Sequence, residues 1–469
     1  MAEIVVIGGG VAGLCGSLLL ARDGHRVRVL ERDPAPPPGS PEDAWASWER
    51  RGVNQFRLLH YFLPRFRQTL EAELPDLITA LDADGALRTN PLLEMPAEFS
   101  GGIRPDDDRF TAITGRRPVI EAAIAGVVAA EPGIEVLRGT AVQGLLTGEP
   151  ELPGVPHVVG VVTDAGEELH ADLVVDMSGR RSALPRWLTD LGARPPDEEV
   201  ADCGFVYYGR HYRSRDGSLP FAFGPPLQPY DSVSLLTLPA DNGTWSVALI
   251  TSAKDPVLRA ARDVATWERI IKSYPLVAHW IEGEPMTEID TVAKIEDRTR
   301  RFWRDGFPVA TGLVAAADAW ACTNPSVGRG ASIGLLHAVA LRDLLRDVPI
   351  QPGVALAEEW EARTAAIPAP LVDDTLAFDR HRLAEIDAQI AGVPYETEDP
   401  GWQLGEALRT AAAKDPDLVR AYASIASLLE RGVDVLSKPG IAERAIELAS
   451  DEPAPGPTRA ELVSLVSAS

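Results

Sequence analysis

The stretch EIVVIGGGVAGLCGSLLLARDGHRVRVLE, residues 3–31, decides the fold. Residues 3–7 are a short apolar run closed by Gly8-Gly9-Gly10, which reads as a buried strand and its turn. Residues 11–23 then read as a helix that stops at Gly24, with Arg22 in the last turn. Residues 26–30 alternate as a second strand that ends at Glu31. The turn fits G-x-G-x-x-G at Gly8, Gly10 and Gly13, and Glu31 follows Gly13 by 18 residues. In such a unit Gly8 permits the tight turn, Gly10 lets a pyrophosphate approach the backbone, and Gly13 packs the helix against the strand. The helix start attracts phosphates through free N–H groups and its dipole. A carboxylate at Glu31, next to Arg32, accepts hydrogen bonds from ribose hydroxyls and repels a 2′-phosphate. These features predict dinucleotide binding and do not separate FAD from NAD. The alternative is a plain βαβ unit with a glycine turn.

The 469 residues provide length for about three domains, and 45% hydrophobic content supports a large core. Lys and Arg number 45 against 69 Asp and Glu, a net charge of −24, which argues against nucleic acid and anionic membrane surfaces as partners. Cys15, Cys203 and Cys322 are far apart, so no disulfide framework is expected and a reducing cytoplasm is the natural location. No HExxH, P-loop or Cys/His cluster occurs, and no metal site is expected. Ile4 to Leu20 is apolar, but Glu3 stands where a signal anchor has basic residues, and glycines interrupt the run. No apolar run approaches the roughly 20 residues of a spanning helix, so no transmembrane segment is expected.

Farther along, residues 34–41 (PAPPPGSP) read as a loop, residues 61–82 as helix, and residues 116–130 as a helix entered through Pro118. Strands follow within 135–146 and 158–177, the latter turning at Asp164-Ala165-Gly166. Residues 204–251 are strand-rich, with SVSLLTL and TWSVALITS joined across Ala240-Asp241-Asn242-Gly243. GLVAAAD (312–318) reads as a buried strand and residues from about Ala331 to Arg346 as a helix. After residue 355 the chain is almost wholly helical, apart from a Pro-rich tail near 453–457.

Two further motifs carry chemistry. After Asp318, the segment Asn324-Pro325-Ser326-Val327-Gly328-Arg329-Gly330 leads into a helix and forms a second anion-friendly helix start. Two such starts suit one long ligand, with FAD as the natural choice; alternatively Asp318 caps a loop and the glycines only turn the chain. Asp176-Met177-Ser178-Gly179-Arg180-Arg181-Ser182 places a tight turn and two guanidiniums at a strand end, or is a solvated basic turn.

Together these motifs make the sequence resemble the flavin-dependent monooxygenases of the para-hydroxybenzoate hydroxylase-like, glutathione-reductase-fold group, over roughly residues 1–350. The resemblance implies an α/β fold: a Rossmann-like three-layer FAD domain from residues 1–185 and 286–350. A mostly antiparallel substrate sheet is inserted at 186–285, and a helical cap covers 351–469. It implies FAD contacts at Gly8, Gly10, Gly13 and Glu31, at Asp318, Pro325, Gly328 and Gly330, and at Arg117 in GRRPVIEAAI. A closer likeness, to bacterial flavin epoxidases of polyether biosynthesis, rests on Arg50, Arg51, Gly52, Val53, Gln55, Arg57 and His60, on the D-x-[ST]-G-R turn, and on N-P-x-x-G-x-G. It implies that Arg57 and His60 lie near the flavin, although His60 equally fits a surface loop. Two departures stand out. The family's G-D is Ala317-Asp318 here, and the D-G of its middle motif is Ser178-Gly179, which leaves open whether NADH or NADPH reduces the flavin directly or through a separate flavin reductase.

The implied reaction passes an oxygen atom of O₂, by way of a flavin C4a-hydroperoxide, to a small apolar or aromatic substrate by epoxidation or hydroxylation, in secondary metabolism. No catalytic acid or base is assigned. Along GFVYYGRHYR, Phe205, Tyr207 and His211 share one strand face while Tyr208, Arg210 and Tyr212 share the other. Tyr207, His211, Phe221, Phe223 and Trp245 are the candidate pocket residues, or ordinary sheet packing. Rival readings are a flavin-dependent alkene reductase of the geranylgeranyl-reductase kind, a flavin halogenase and a serine hydrolase. The halogenase needs an early lysine, and the first of the five lysines is Lys254. The hydrolase would use Ser332 in Gly330-Ala331-Ser332-Ile333-Gly334, a residue that reads instead as a helix cap.

Overall fold

The computed structural model describes residues 1–53, 55–58, 60–450 and 454–467. Pro453, the first residue of the expected Pro-rich tail, lies outside the described residues.

Ile4 and Val6 join one apolar core and Val5 and Ile7 another, so β1 (Glu3–Ile7) is buried on both faces. The chain turns into α1 (Val11–Arg22) and returns as β2 (Arg26–Glu31), the crossover that parallel pairing requires. Later come α2 (Arg117–Ala130), β3 (Ile134–Arg138), an antiparallel meander β4 (Val142–Leu152), β5 (Val155–Thr163) and β6 (Glu168–His170), and then β7 (Leu173–Asp176). The second sheet is built from β8 (Phe205–Arg213), β9 (Leu227–Tyr230), β10 (Val233–Pro239) and β11 (Thr244–Ser252). The chain then regains the first sheet at β12 (Leu313–Ala315) and enters α3 (Gly330–Asp347).

The first sheet has the order β12-β7-β1-β2-β3, every pair parallel. On one face α1, α2 and α3 pack through Leu14, Leu18, Ile120, Ile124, Leu335 and Leu341. On the other face the meander contributes Leu145, Val158, Val161 and Leu169. Three layers result, as expected. β7 and β12 enter this sheet from residues far along the chain, so the first layer is assembled from discontinuous segments.

The second sheet is antiparallel, ordered β9-β10-β11-β8, with short strands at Glu284–Pro285 and Asp290–Val292 added beside β8. The expected β10–β11 hairpin forms. Its turn holds Asn242 at φ +52°, a conformation that asparagine tolerates better than most residues. One face of this sheet is sealed by Trp267, Ile270 and Ile271 of the helix Val264–Lys272, packed on Tyr208, Tyr212 and Trp245. The other face is left for the site.

The C-terminal region is helical, including α4 (Pro368–Ala391), α5 (Pro400–Ala411) and α6 (Pro416–Ala426). The helix expected over 61–82 is corrected. Tyr61–Phe62 is a strand paired with Ala112–Thr114, and two helices follow, Pro64–Glu73 and Pro75–Ala83. Pro75 explains the break: it lacks an N–H and disfavours helical geometry at Leu74. Among the described residues no helix is long and apolar enough to cross a membrane.

Candidate functional site

The glycine turn between β1 and α1 is fixed by close packing at two positions and left open at the third. Gly8 has φ +107°, and a Cβ there would lie 2.6 Å from the Met177 carbonyl oxygen. A Cβ on Gly13 would lie 2.0 Å from the carbonyl oxygen of Gly8. A Cβ on Gly10 would meet nothing within 4 Å. The start of α1 has no side-chain cap and no acidic residue in its first turn, so its N–H groups face open space. That space is a cavity of about 1610 Å³, beyond the range of a single drug-sized pocket. It is bordered by the glycine turn, by Asp318 and the loop 323–330, by the open face of the second sheet, and by α4, α5 and α6.

At the β2 end, Glu31 is buried and accepts three hydrogen bonds. Its Oε2 accepts from Gly9 N at 3.0 Å and from Arg50 at 2.5 Å, and its Oε1 accepts from Asp33 N at 2.8 Å. Arg50, likewise buried, also donates to Asp33, to Glu121 at 2.8 Å and to the Gly9 carbonyl. Glu121 accepts from Arg117 at 2.6 Å, and Arg117 donates to Nε2 of His60 at 3.0 Å. A continuous hydrogen-bonded chain, Glu31–Arg50–Glu121–Arg117–His60, therefore borders the cavity. Burial and the neighbouring Arg117 hold His60 well below its ordinary pKa, so the ring is neutral and Nδ1–H donates to the Leu58 carbonyl. Arg32 also borders the cavity, and its guanidinium lies against Gly52.

At the second helix start, Ala317 adopts φ +51°, at the position where the sequence resemblance implies a glycine. Its N–H donates to Nδ1 of His337, whose Nε2 pairs with Thr364 and whose ring stacks on Trp360 at 4.4 Å. Asp318 borders the cavity, and burial raises its pKa against the opposing pull of Arg117 and Arg180. Pro325, Gly328 and Gly330 also border it, and α3 begins without a side-chain cap or an acidic first turn. Ser332 therefore does not cap the helix, contrary to expectation. Its Oγ, at the third helical residue, is buried without a partner among the described residues, while both ring nitrogens of His337 are committed elsewhere, so no pair forms between Ser332 and His337.

Asn324 knits three parts of the chain. Its Oδ1 accepts from the Tyr207 hydroxyl at 2.6 Å, and its Nδ2 donates to Asp379 of α4 at 3.1 Å. Ser326 donates to the same Asp379 oxygen at 2.9 Å, while Oδ2 of Asp379 is buried without a partner among the described residues. Burial outweighs these hydrogen bonds and raises the Asp379 pKa to about 7. In the middle turn, buried Asp176 accepts from Ser178 N at 2.9 Å and from the Ser182 hydroxyl; Ser178, Gly179, Arg180 and Arg181 border the cavity.

Among the expected pocket residues, Tyr207 and His211 are buried and face the cavity, while Phe221 and Phe223 border it as exposed rings in edge contact at 5.3 Å. Two expectations are corrected. Trp245 pairs in register with Tyr212, so it faces the sealed core, where its indole donates to the Trp280 carbonyl. Arg57 does not border the cavity; it donates to the Trp48 carbonyl at 2.7 Å and lies over the Trp45 ring, bracing the segment 41–48. Arg50, Asp379, Trp402 and Tyr422 border or support the cavity and have no FAD or substrate role in the sequence reading, which gives the C-terminal helices only the general place of a cap. Arg50 alone had a signal, within the quoted arginine-rich stretch.

No family model matches the chain. Protein Rv3254 of Mycobacterium tuberculosis is 30% identical over an alignment of 365 residues that covers 73% of this chain and 72% of that protein. The chain belongs to the family of Rv3254. Among solved structures, PqsL, a probable FAD-dependent monooxygenase from Pseudomonas aeruginosa, superposes with TM-score 0.60 at 16% identity, covering 83% of this chain and 97% of PqsL. OxyS, an anhydrotetracycline hydroxylase from Streptomyces rimosus, gives TM-score 0.55 at 20% identity, covering 92% and 76%. The fold is thus that of the para-hydroxybenzoate hydroxylase-like flavoproteins.

Proposed function

We propose that this member of the Rv3254 family is an FAD-dependent monooxygenase that transfers one oxygen atom of O₂ to a small apolar or aromatic organic substrate, by epoxidation or hydroxylation. The observation that carries the reading is the single cavity that joins two uncapped helix starts to an apolar sheet face. The bare turn at Gly10 and the second start at Gly330 suit the two ends of one dinucleotide. Gly8, Gly13, Glu31, Arg32 and Arg117 would hold its ADP half; Asp318, Pro325, Gly328 and Gly330 would hold the ring end. FAD, once bound, supplies the reduction of O₂ and the oxygen transfer.

The chain's own residues bind, orient and exclude water. The Glu31–Arg50–Glu121–Arg117–His60 chain fixes the carboxylate and guanidinium orientations. The Tyr207–Asn324–Asp379 bonds lock the flavin-side loop to the sheet and to α4. Helices α4–α6 shield the cavity from solvent. In this reading residues 1–185 and 286–350 bind FAD, 186–285 bind substrate, and 351–469 form the cap. The fold-relative PqsL has been solved with 2-aminobenzoylacetate, a ligand of the aromatic class proposed here. NADH or NADPH provides electrons, directly or through a separate flavin reductase, in secondary metabolism of the cytoplasm.

Purified protein incubated with FAD and desalted is expected to stay yellow. With NADH or NADPH, with and without an added flavin reductase, it should consume O₂ in proportion to oxygenated product. Colourless protein, or alkene reduction without O₂ uptake, would overturn the reading.

A further inference from the structure

Three strands place their cavity-facing residues in rows. Leu238, Ser246 and His211 form one row across β10, β11 and β8. Leu236, Ala248 and Gly209 form the next, and Ser234, Ile250 and Tyr207 the third. The middle row drops to Ala248 and Gly209, which leaves a shallow bare floor bounded along β8 by the His211 and Tyr207 rings. Floor and rings border the cavity, as do Leu227, Leu236 and Leu238.

The two bounding rings differ in what they have left to offer. The Tyr207 hydroxyl proton is committed to Asn324. His211 is 3% exposed, lies against Trp45 at 4.8 Å between ring centroids, and has no hydrogen bond to either ring nitrogen among the described residues. Its Nδ1 is buried. Burial, with Arg116 and Arg57 nearby, lowers its pKa to about 3, so the ring is neutral and carries one N–H. Placing that proton on Nδ1 would bury a donor with no acceptor, so it belongs on Nε2. Asp290, in register with Gly209, also has a buried unpartnered oxygen, but it does not border the cavity.

We propose that the Gly209–Ala248 floor seats a planar apolar substrate and that His211 donates Nε2–H to one uncharged oxygen acceptor on it, a phenolic, carbonyl or ether oxygen. The assignment rests on the proposed function, whose substrate it specifies. A cation is disfavoured, because the group that meets the ligand is a neutral N–H donor and the Arg57 and Arg116 guanidiniums act on the same ring. An apolar molecule without the acceptor leaves the imidazole N–H unpaired and binds more weakly.

The test uses the FAD-loaded protein and equilibrium dialysis of three probes: naphthalene, 2-naphthol and 2-naphthylmethylammonium. The wild type is expected to bind 2-naphthol at least tenfold more tightly than naphthalene, with the ammonium the weakest. His211→Phe should shrink the naphthol preference to twofold or less, and His211→Gln, which keeps an N–H donor, should retain part of it. A preference unchanged in His211→Phe, or tightest binding of the ammonium, overturns the assignment, as does failure of the wild type to bind any probe. Thermal melts and the visible flavin spectrum are recorded on the same samples. Colourless wild type rejects the flavin reading, whereas yellow, folded protein with an unaltered probe ranking rejects only the role of His211.

Discussion

Ala317 sits in the left-handed backbone region at φ +51°, held there by a 3.1 Å hydrogen bond from its N–H to Nδ1 of His337. The turn that positions Asp318 is therefore maintained by a buried histidine where a glycine would need no such support.

Replacing Ala317 with Gly removes a left-handed penalty of about 1–2 kcal/mol and adds about 0.5–1 kcal/mol of backbone entropy cost. The expected result in urea denaturation is a small gain in stability, within about 1 kcal/mol. His337→Ala leaves the Ala317 N–H without an acceptor and opens a hole beside Trp360 and Trp320; it should cost about 3 kcal/mol. A stabilising or neutral His337→Ala would contradict the pinning.

The glycine turn separates packing from ligand space. Gly13→Ala forces a Cβ against the Gly8 carbonyl and should abolish soluble, folded protein or its FAD binding. Gly10→Ala meets no protein atom, so the melting temperature without FAD should not move. FAD affinity, followed by quenching of flavin fluorescence, should fall at least tenfold because the methyl occupies the phosphate cleft.

Arg50 is the shared cation of Glu31, Asp33 and Glu121, all buried. Arg50→Met leaves buried Glu31 and Asp33 without their shared cation and Glu121 with Arg117 alone, and should destabilise the fold by about 3–5 kcal/mol. Both urea denaturation and far-UV circular dichroism would register it. A loss below about 1 kcal/mol would show that the carboxylates find other partners.

Asp379 has a pKa of about 7 in the folded chain, against an ordinary value near 4 in the unfolded chain. Between those values the folded state holds a proton that the unfolded state has released. Its contribution to stability is complete below about pH 4 and is lost as pH rises through 7, with a slope of up to ~1.4 kcal/mol per pH unit. Asp379→Asn should remove this component, so wild type minus variant stability declines from pH 5 to pH 8. A flat or rising difference would refute the assignment.

The N-terminal βαβ unit was legible because steric rules act locally: Gly8 needs positive φ and Gly13 close approach, and both needs are written in adjacent residues. Alternation along GFVYYGRHYR separated two faces correctly, but it does not say which face looks into a cavity. Trp245 was misplaced for that reason, since only the β8–β11 register ties it to Tyr212 and the sealed side. Arg57 was carried over by resemblance, while the arginine that enters the Glu31 network is Arg50, whose partners are scattered from residue 9 to residue 121. Asp379 left no local trace, because its partners Asn324 and Ser326 meet it only after the C-terminal helices dock.

That docking sets an order of events during synthesis. The glycine turn leaves the ribosome before Trp402 and Tyr422, yet all border one chamber. The nascent chain can complete its parallel sheet while the chamber still lacks its roof. A chain stopped at residue 350 would leave Asn324 without Asp379 and Arg329 without Thr375, and the chamber open to water on the side that the C-terminal helices close.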